Sequence, residues 1–450
     1  MLFGNTARAD DILQGRLDDI IPRNASLALL AIDIASGKEA IATGTVVKEP
    51  LVPASLVKLF TTGAALAYVE RHGSPSMRTR VTRDGTYRDS ELDGNLYLIG
   101  QGNALLTAKD LRKTAHTLAQ QGIKKVTGNI VADDSFFDTN GLDRTYNGPG
   151  HAPAGALGID LHTVALTVIP AESDKPPRVV LEPPNDRVRV AMAARTAMVK
   201  KSTIRTIQLD DTSYRVTGII PAGGAAVKQR FPLKEPALYA AAVLHTMLQQ
   251  SGIAVMGGLR KGKAPAGAVE LAEIEAPELA KLVRDMNMNS LNVIADNLLL
   301  LLGAESFGPP GTREKGIKAV NEFLATLDLP EGEATIADGS GLHSDNRVTA
   351  RFMARYLAAV AKKPWFETFF NALPQAGIEG TLKEIGYKNE RFRVKSGRLE
   401  NAFALAGYGV DWRGRDIAFA YIVNIPGGAA LNLERSGAEV MRYLAEEVLE

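Results

Sequence analysis

Apolar residues run almost unbroken from Ser26 to Ala35, pause at Ser36-Gly37-Lys38, and resume in alternation from Glu39 to Val46, which predicts a β-hairpin. Asp10 to Ile21 carries helical periodicity. After Pro53, small and apolar residues recur at helical spacing from Ser55 to Glu70, so a long helix is expected with Ser55 in its opening turn. Near the other end, Phe392 to Gly397, Phe403 to Val410 and Ile417 to Asn424 read as three strands, the last two joined by the turn Trp412-Arg413-Gly414-Arg415. A final helix is expected over Glu434 to Leu449. Two strands at one end and three at the other predict a single antiparallel sheet assembled from both chain ends and flanked by helices, an α/β fold of the α+β kind.

The middle has a different texture. Asp84-Gly85, Gly100-Gln101-Gly102, Pro176-Pro177, Pro183-Pro184 and Gly223-Gly224 punctuate short alternating segments, the pattern of a β-rich insertion forming one or two extra domains. The expected division is residues 1–75 with 275–450, an inserted domain of 76–160 with 235–274, and a nested β-rich subdomain over 161–234.

Composition narrows the function. At 450 residues and 45% hydrophobic content, the chain is long enough for two or three domains with substantial cores. Its 52 Lys and Arg against 51 Asp and Glu leave a net charge of +1, which argues against nucleic acid as a partner. Apolar stretches such as Leu298 to Leu302 are far too short to span a bilayer. There are no cysteines, hence no disulfide and no thiolate metal site. The six histidines, His72, His116, His151, His162, His245 and His343, lack paired zinc spacing and read as isolated surface residues, so neither a metal nor another cofactor is expected. Gly257 to Lys263 mimics a phosphate loop, but Ala264 stands where Ser or Thr is required and Pro265 blocks the following helix.

Three fragments carry chemistry. Ser55 and Lys58 lie three apart on a helix and so share a face, where an amine can take the proton of a hydroxyl nucleophile. An ordinary lysine is protonated at neutral pH, so its pKa must be depressed. Lys395, in the strand Phe392 to Gly397, is a candidate for doing so, since two ammonium groups about 4 Å apart at an effective dielectric near 20 repel by roughly 4 kcal/mol, about three pKa units. Strand alternation sets Arg393 and Lys395 opposite Phe392 and Val394. Ser290 and Asn292, two apart, face one cleft only from a turn, with Leu291 then directed into the core and a helix over Val293 to Leu302 following. Taken singly, each fragment also reads as a helix cap, an Asx turn or a solvated basic strand.

Taken together and in this order, Ser55-Leu56-Val57-Lys58, Ser290-Leu291-Asn292 and Lys395-Ser396-Gly397 resemble the motifs of the penicillin-binding proteins. The similarity is greatest to the D-alanyl-D-alanine carboxypeptidases and endopeptidases with a large insertion between the first two motifs. Pro53-Ala54, Leu59-Phe60-Thr61-Thr62, Gly128 to Ser135, Asp338-Gly339-Ser340-Gly341-Leu342, Leu373 to Leu382 and Phe403 to Tyr408 extend the likeness over nearly the whole chain, most weakly across 161–234. It implies a β-lactamase-like sheet, Ser55 as nucleophile, Lys58 as base, Ser290 as proton relay and Asn292 as positioner of substrate and lysine. It also implies a carboxylate site at Lys395 and Ser396, close backbone approach at Gly397, and an oxyanion hole from the N–H groups of Ser55 and Arg398. Ser396 replaces the family's usual threonine, and Arg398 replaces a small hydroxyl residue. No catalytic role falls to the Asp338 to Leu342 segment, whose glycines read as turn residues.

The resemblance implies peptidoglycan stem peptides and β-lactams as partners, no cofactor, and a periplasmic or cell-envelope location. Residues 1–10 lack the basic and apolar regions of a signal peptide, so an exported protein is expected in mature form with an added Met1. A β-lactamase and a non-catalytic peptidoglycan-binding scaffold are the alternatives. The roughly 230 residues between the first two motifs speak against the compact β-lactamases.

Overall fold

The strands expected at the two chain ends do meet in one sheet. In the computed structural model, which describes residues 13–446 other than 14, 18, 45–47, 141, 143–151 and 428–432, this sheet belongs to the first of two units. That unit is made by Met1–Pro75 with Gly141–Asp143 and Glu278–Glu450, and the second by Ser76–Asn140 with Arg144–Pro277.

The first unit's sheet contains β1 (Ser26–Asp33), β2 (Glu39–Thr43), β3 (Gln375–Ala376), β4 (Asn389–Leu399), β5 (Ala402–Val410) and β6 (Asp416–Asn424). The order across it is β2-β1-β6-β5-β4-β3, antiparallel throughout. The hairpin thus pairs with the last strand, Leu27 opposite Val423 and Ala31 opposite Phe419. One layer of core, with Leu29, Phe392, Val394, Phe403 and Phe419, is closed by Val440, Met441 and Leu444 of the C-terminal helix α5 (Glu434–Ala445).

The remaining helices of interest are α1 (Val57–His72), α2 (Leu279–Asn289), α3 (Asn292–Phe307) and α4 (Ala350–Val360). α4 packs on β1 and β6, while α1 packs against α2 and α3. Every residue of α1 from Val57 to Ala67 is buried, as for a helix with core on all sides. Parts of two expected helices, residues 10–12, 14 and 18 and residues 447–449, lie outside the described residues, as does Val46.

The second unit holds helices as well as strands. Ala108–Gln120, closed by a Thr107/Asp110 capping box, and Pro236–Gln250 pack into one core with Val81, Leu98, Ile130, Leu166 and Tyr214. A five-stranded sheet runs Leu259–Lys261, Ile130–Asp133, Leu96–Gly100, Thr79–Arg83, Val269–Ile274. The phosphate-loop mimic therefore lies on an edge strand. A four-stranded sheet runs Ala254–Val255, Lys125–Val126, Glu91–Asp93, Thr86–Arg88, and there are two three-stranded sheets: Arg178–Glu182, Thr163–Ile169 and Val227–Pro232, then Arg189–Ala197, Ser213–Pro221 and Arg205–Gln208.

One histidine departs from the surface reading. His162 is fully buried, with Nδ1 donating to the Pro153 carbonyl at 2.7 Å, and burial lowers its pKa to about 4. His151 lies outside the described residues.

Candidate active site

Ser55 sits in a single 3-10 turn, Ala54–Leu56, that feeds directly into α1. No side chain caps the helix there, and Ala54 adopts φ +48°, a left-handed conformation that a residue with a Cβ takes at a cost of about 1–3 kcal/mol. Ser55 is thereby presented half-exposed at the tip of a buried helix. Lys58, one turn on, is 0% exposed, and its Nζ stands 2.9 Å from Ser55 Oγ. The same Nζ lies 2.7 Å from Asn292 Oδ1 and 2.6 Å from the Ser340 carbonyl oxygen.

Ser290 and Asn292 come from the junction of two helices. Ser290 ends α2 at φ +55°, Leu291 is the extended N-cap of α3, and Asn292 is the first residue of α3, one earlier than the hydrophobic pattern indicated. The left-handed residue turns the chain so that both polar side chains reach the lysines. Leu291 is half-buried, not sunk in the core, because the junction itself lies at the rim of the site.

Lys395 projects from β4 and is also 0% exposed. Its Nζ donates to Ser290 Oγ at 3.1 Å and to the Ser396 carbonyl at 2.6 Å. Phe392 and Val394 occupy the opposite face in the core, as alternation requires. Ser396 Oγ lies 2.7 Å from Thr381 Oγ1. A Cβ built on Gly397 would stand 2.6 Å from the Pro53 carbonyl and 3.1 Å from Ser55 N, so only glycine lets the strand pass the Ser55 backbone this closely. Val394 N bonds Pro374 O on the side away from β5, and the two-residue alternation of strand hydrogen bonds directs the Arg398 N–H the same way. The Arg398 side chain is turned outward to pair with Glu434.

A third loop completes the surroundings of Lys58. Asp338, 4% exposed, accepts from Ser340 Oγ at 3.0 Å, Gly341 N at 2.7 Å, Leu342 N at 2.9 Å, His343 N at 2.8 Å and Asn346 Nδ2 at 2.8 Å. This carboxylate shapes a loop that aims the Ser340 carbonyl at Lys58. Thr61 Oγ1 donates to the Gly339 carbonyl at 2.9 Å, and Gly339 N donates to Asp296 Oδ1 at 3.1 Å. Asp296, also 4% exposed, follows Asn292 by four residues on one face of α3.

Two amines and two carboxylates are therefore buried together, which governs their protonation. Burial is the largest influence on Lys58 and lowers its pKa, while Asp296 and Asp338 pull it back up. Lys395, the candidate from the sequence for depressing Lys58, is not what lowers it; desolvation is. Lys395 is lowered well below the lysine range by burial and then by Lys58. Asp296 is raised by burial and by Asp338, against the pull of Lys58.

All eight residues singled out from the sequence, Ser55, Lys58, Ser290, Asn292, Lys395, Ser396, Gly397 and Arg398, lie in this one region of the first unit. Asp296, Asp338, the Ser340 carbonyl and Thr381 were missed as contributors. The Asp338-Gly339-Ser340-Gly341 run was the available signal for two of them, Asp338 and the Ser340 carbonyl. Thr381 lies within the Leu373 to Leu382 run that shares the family likeness, and Asp296, a polar residue within a long apolar helix, had no signal. Among the described residues no cluster of His, Asp and Glu has the arrangement to hold a metal ion.

The profile of the D-Ala-D-Ala carboxypeptidase 3 (S13) family matches residues 12–444. A D-alanyl-D-alanine carboxypeptidase of Actinomadura sp. (strain R39) is 29% identical over 439 residues, 92% of this chain and 80% of that protein. The D-alanyl-D-alanine carboxypeptidase DacB of Haemophilus influenzae is 26% identical over 392 residues, 83% of this chain and 80% of the relative. The crystal structure of penicillin binding protein 4 (dacB) from Haemophilus influenzae superposes with a TM-score of 0.81 at 23% identity, covering 97% of this chain and 99% of that one, a match of fold.

Proposed function

The chain belongs to the D-Ala-D-Ala carboxypeptidase 3 (S13) family, and from that membership we propose that it is a serine DD-peptidase acting on D-alanyl-D-alanine ends or D-alanyl cross-links of peptidoglycan through an acyl-enzyme on Ser55. The observation that carries this reading is the hydrogen-bond set of Lys58. A neutral amine donates twice and accepts once; the Asn292 amide oxygen and the Ser340 carbonyl take the two donations, which leaves the lone pair for the Ser55 hydroxyl proton.

In the proposed cycle, Ser55 Oγ attacks the carbonyl carbon of the penultimate D-alanine as its proton passes to Lys58 Nζ. Negative charge develops on the carbonyl oxygen, where the N–H groups of Ser55 and Arg398 are the candidate donors, each worth about 3 kcal/mol in comparable sites. As the tetrahedral adduct collapses, the C–N bond breaks and the leaving amine takes a proton through the Ser290 hydroxyl, which Lys395 orients. Water then adds to the acyl-ester carbon, its proton returns by the Lys58 route, and Ser55 leaves as an alcohol. Lys395 with the Ser396 and Thr381 hydroxyls provides a donor-lined place for the substrate carboxylate, whose negative charge favours the ammonium form of Lys395 against the burial that opposes it. A β-lactam follows the same first step, but its amine stays tethered to the acyl group, so a stable adduct results. The site lies in a cell-envelope enzyme, working where peptidoglycan is.

The decisive experiment is mass spectrometry after incubation with benzylpenicillin. A single adduct on Ser55 is expected, abolished in Ser55→Ala, and a folded chain that takes no adduct would favour a non-catalytic scaffold. Product analysis with a stem pentapeptide and a cross-linked muropeptide then separates carboxypeptidase from endopeptidase action. Rapid release of hydrolysed penicillin would instead indicate a β-lactamase.

A further inference from the structure

The small sheet of Arg189–Ala197, Ser213–Pro221 and Arg205–Gln208 in the inserted unit has one face in the core and one open to solvent. Ala194, Val216 and Ile220 point inward and cluster with Val168. The alternate residues point outward, and among them are Arg189, Arg195, Arg205 and Arg215, all exposed. In register, Arg215 lies between Ala191 and Ile207, and Thr217 lies between Ala193 and Arg205. With strands about 4.8 Å apart and a rise of about 3.3 Å per residue, Arg205 and Arg215 stand about 8 Å apart and Arg189 and Arg195 about 20 Å apart. Ala191, Ala193 and Thr217 between them are short, while Ile207 beside Arg215 adds an exposed apolar side chain.

None of these four guanidinium groups meets a carboxylate among the described residues, although arginines elsewhere in the chain commonly do. Two of the acids near them in sequence are engaged otherwise. Asp210 accepts from Thr212 N at 2.7 Å within its own turn, and Asp211 accepts from Lys234 N at 2.6 Å and pairs with Arg187 at 3.9 Å. Lys200 and Lys201, exposed in the loop that follows the first strand, add two more cations. The chain as a whole has a net charge of only +1, so this is a local concentration of charge and not the surface of a generally basic protein.

We infer that this arginine-bearing sheet face docks the enzyme on its own polymeric substrate, binding the repeated stem-peptide carboxylates of peptidoglycan with residues that take no part in the proposed catalytic cycle. The inference rests on the peptidoglycan reading above. Charge complementarity selects the partner: guanidinium groups pair with carboxylates through two parallel hydrogen bonds, and a row of them meets a polymer carrying one anion after another. Each contact is weak and exposed, so binding is multivalent and salt-sensitive. No outward position of the three strands is aromatic, which removes the stacking platform that single-stranded nucleic acid requires.

The test is sedimentation of the full chain with purified insoluble peptidoglycan. It uses the Ser55→Ala background so that binding is read without turnover, and compares it with the same chain also carrying Arg189→Gln, Arg195→Gln, Arg205→Gln and Arg215→Gln. The parent is expected in the pellet at low salt and in the supernatant at several hundred millimolar salt, with the quadruple variant at least tenfold weaker. Binding should also fall on peptidoglycan whose carboxylates have been amidated. With Ser55 intact, the quadruple variant should cleave a soluble pentapeptide at the parental rate and keep the parental melting temperature, which separates this face from the catalytic reading. Failure of parent and variant alike to cleave either the pentapeptide or a cross-linked muropeptide would count against the peptidase assignment alone, whereas failure of the variant only would count against the docking inference. Equal sedimentation of parent and variant, undiminished binding to amidated peptidoglycan, or a preference for anionic phospholipid vesicles would overturn the docking inference.

Discussion

In the proposed cycle the proton on Lys58 decides whether Ser55 can act as a nucleophile, and two opposing influences set it. Desolvation drives Lys58 toward the neutral form, while Asp296 and Asp338 favour the ammonium. The working amine is therefore a compromise, with a pKa below the ordinary lysine value of roughly 10.4. Catalysis needs the neutral form, whose fraction grows as pH rises through that pKa, so the acid limb of kcat/KM and of penicillin acylation should fall well below pH ~10. Asp296→Asn keeps an oxygen for Gly339 N but removes a carboxyl whose ionised form, which burial and Asp338 oppose, favours the ammonium of Lys58. The acid limb should move to lower pH, by about one unit if roughly 1.4 kcal/mol of attraction is lost. Stopped-flow acylation across pH checks this; a lower rate with an unmoved limb would show that Asp296 only shapes the loop.

The elements that hold these residues were legible to very different degrees. The hairpin, the long strands and the Ser55 helix announce themselves by periodicity, because each buries a continuous face. The two-residue strand β3 has no period to read, yet it makes β4 an interior strand beside the site. The two helices of the inserted unit were masked by the glycine and proline punctuation around them. Nor does any local pattern tell that the loop at Asp338 closes on residues nearly three hundred positions earlier, since that contact exists only in the fold. Gly341 makes it possible: at φ +88°, an added Cβ would lie 1.9 Å from the Ala54 carbonyl. Gly341→Ala should cost about 2–3 kcal/mol from backbone strain and the forced separation of the loop from the serine turn. Because that separation also withdraws the Ser340 carbonyl from Lys58, penicillin acylation should slow more than the melting temperature alone explains, which parallel thermal denaturation and acylation measurements would reveal.

At the scale of the whole chain, the site depends on strands that carry none of its chemistry. β1 pairs along its length with β6, Ser26 opposite Asn424 and Asp33 opposite Ile417, and β6 and β5 separate β1 from β4, which bears Lys395. A chain ending at Trp412 retains Ser55, Lys58, Ser290, Asn292, Lys395 and Ser396 but loses β6 and α5 from the middle and the cover of the sheet. Such a loss exposes Leu29, Phe403 and Leu405, each buried at 0–2% exposure, and leaves β1 and β5 without their shared partner. By contrast, every strand pair of the inserted unit is formed within Ser76 to Pro277, and its core draws only on that stretch. The truncated chain should therefore lose fluorescent-penicillin labelling completely, although every motif is intact. Limited proteolysis of it should still leave a resistant fragment bounded near Ser76 and Pro277. Retained labelling would mean that the catalytic side chains assemble without the sheet that joins the chain's ends, and digestion of the inserted stretch to small peptides would mean that its core does not stand alone.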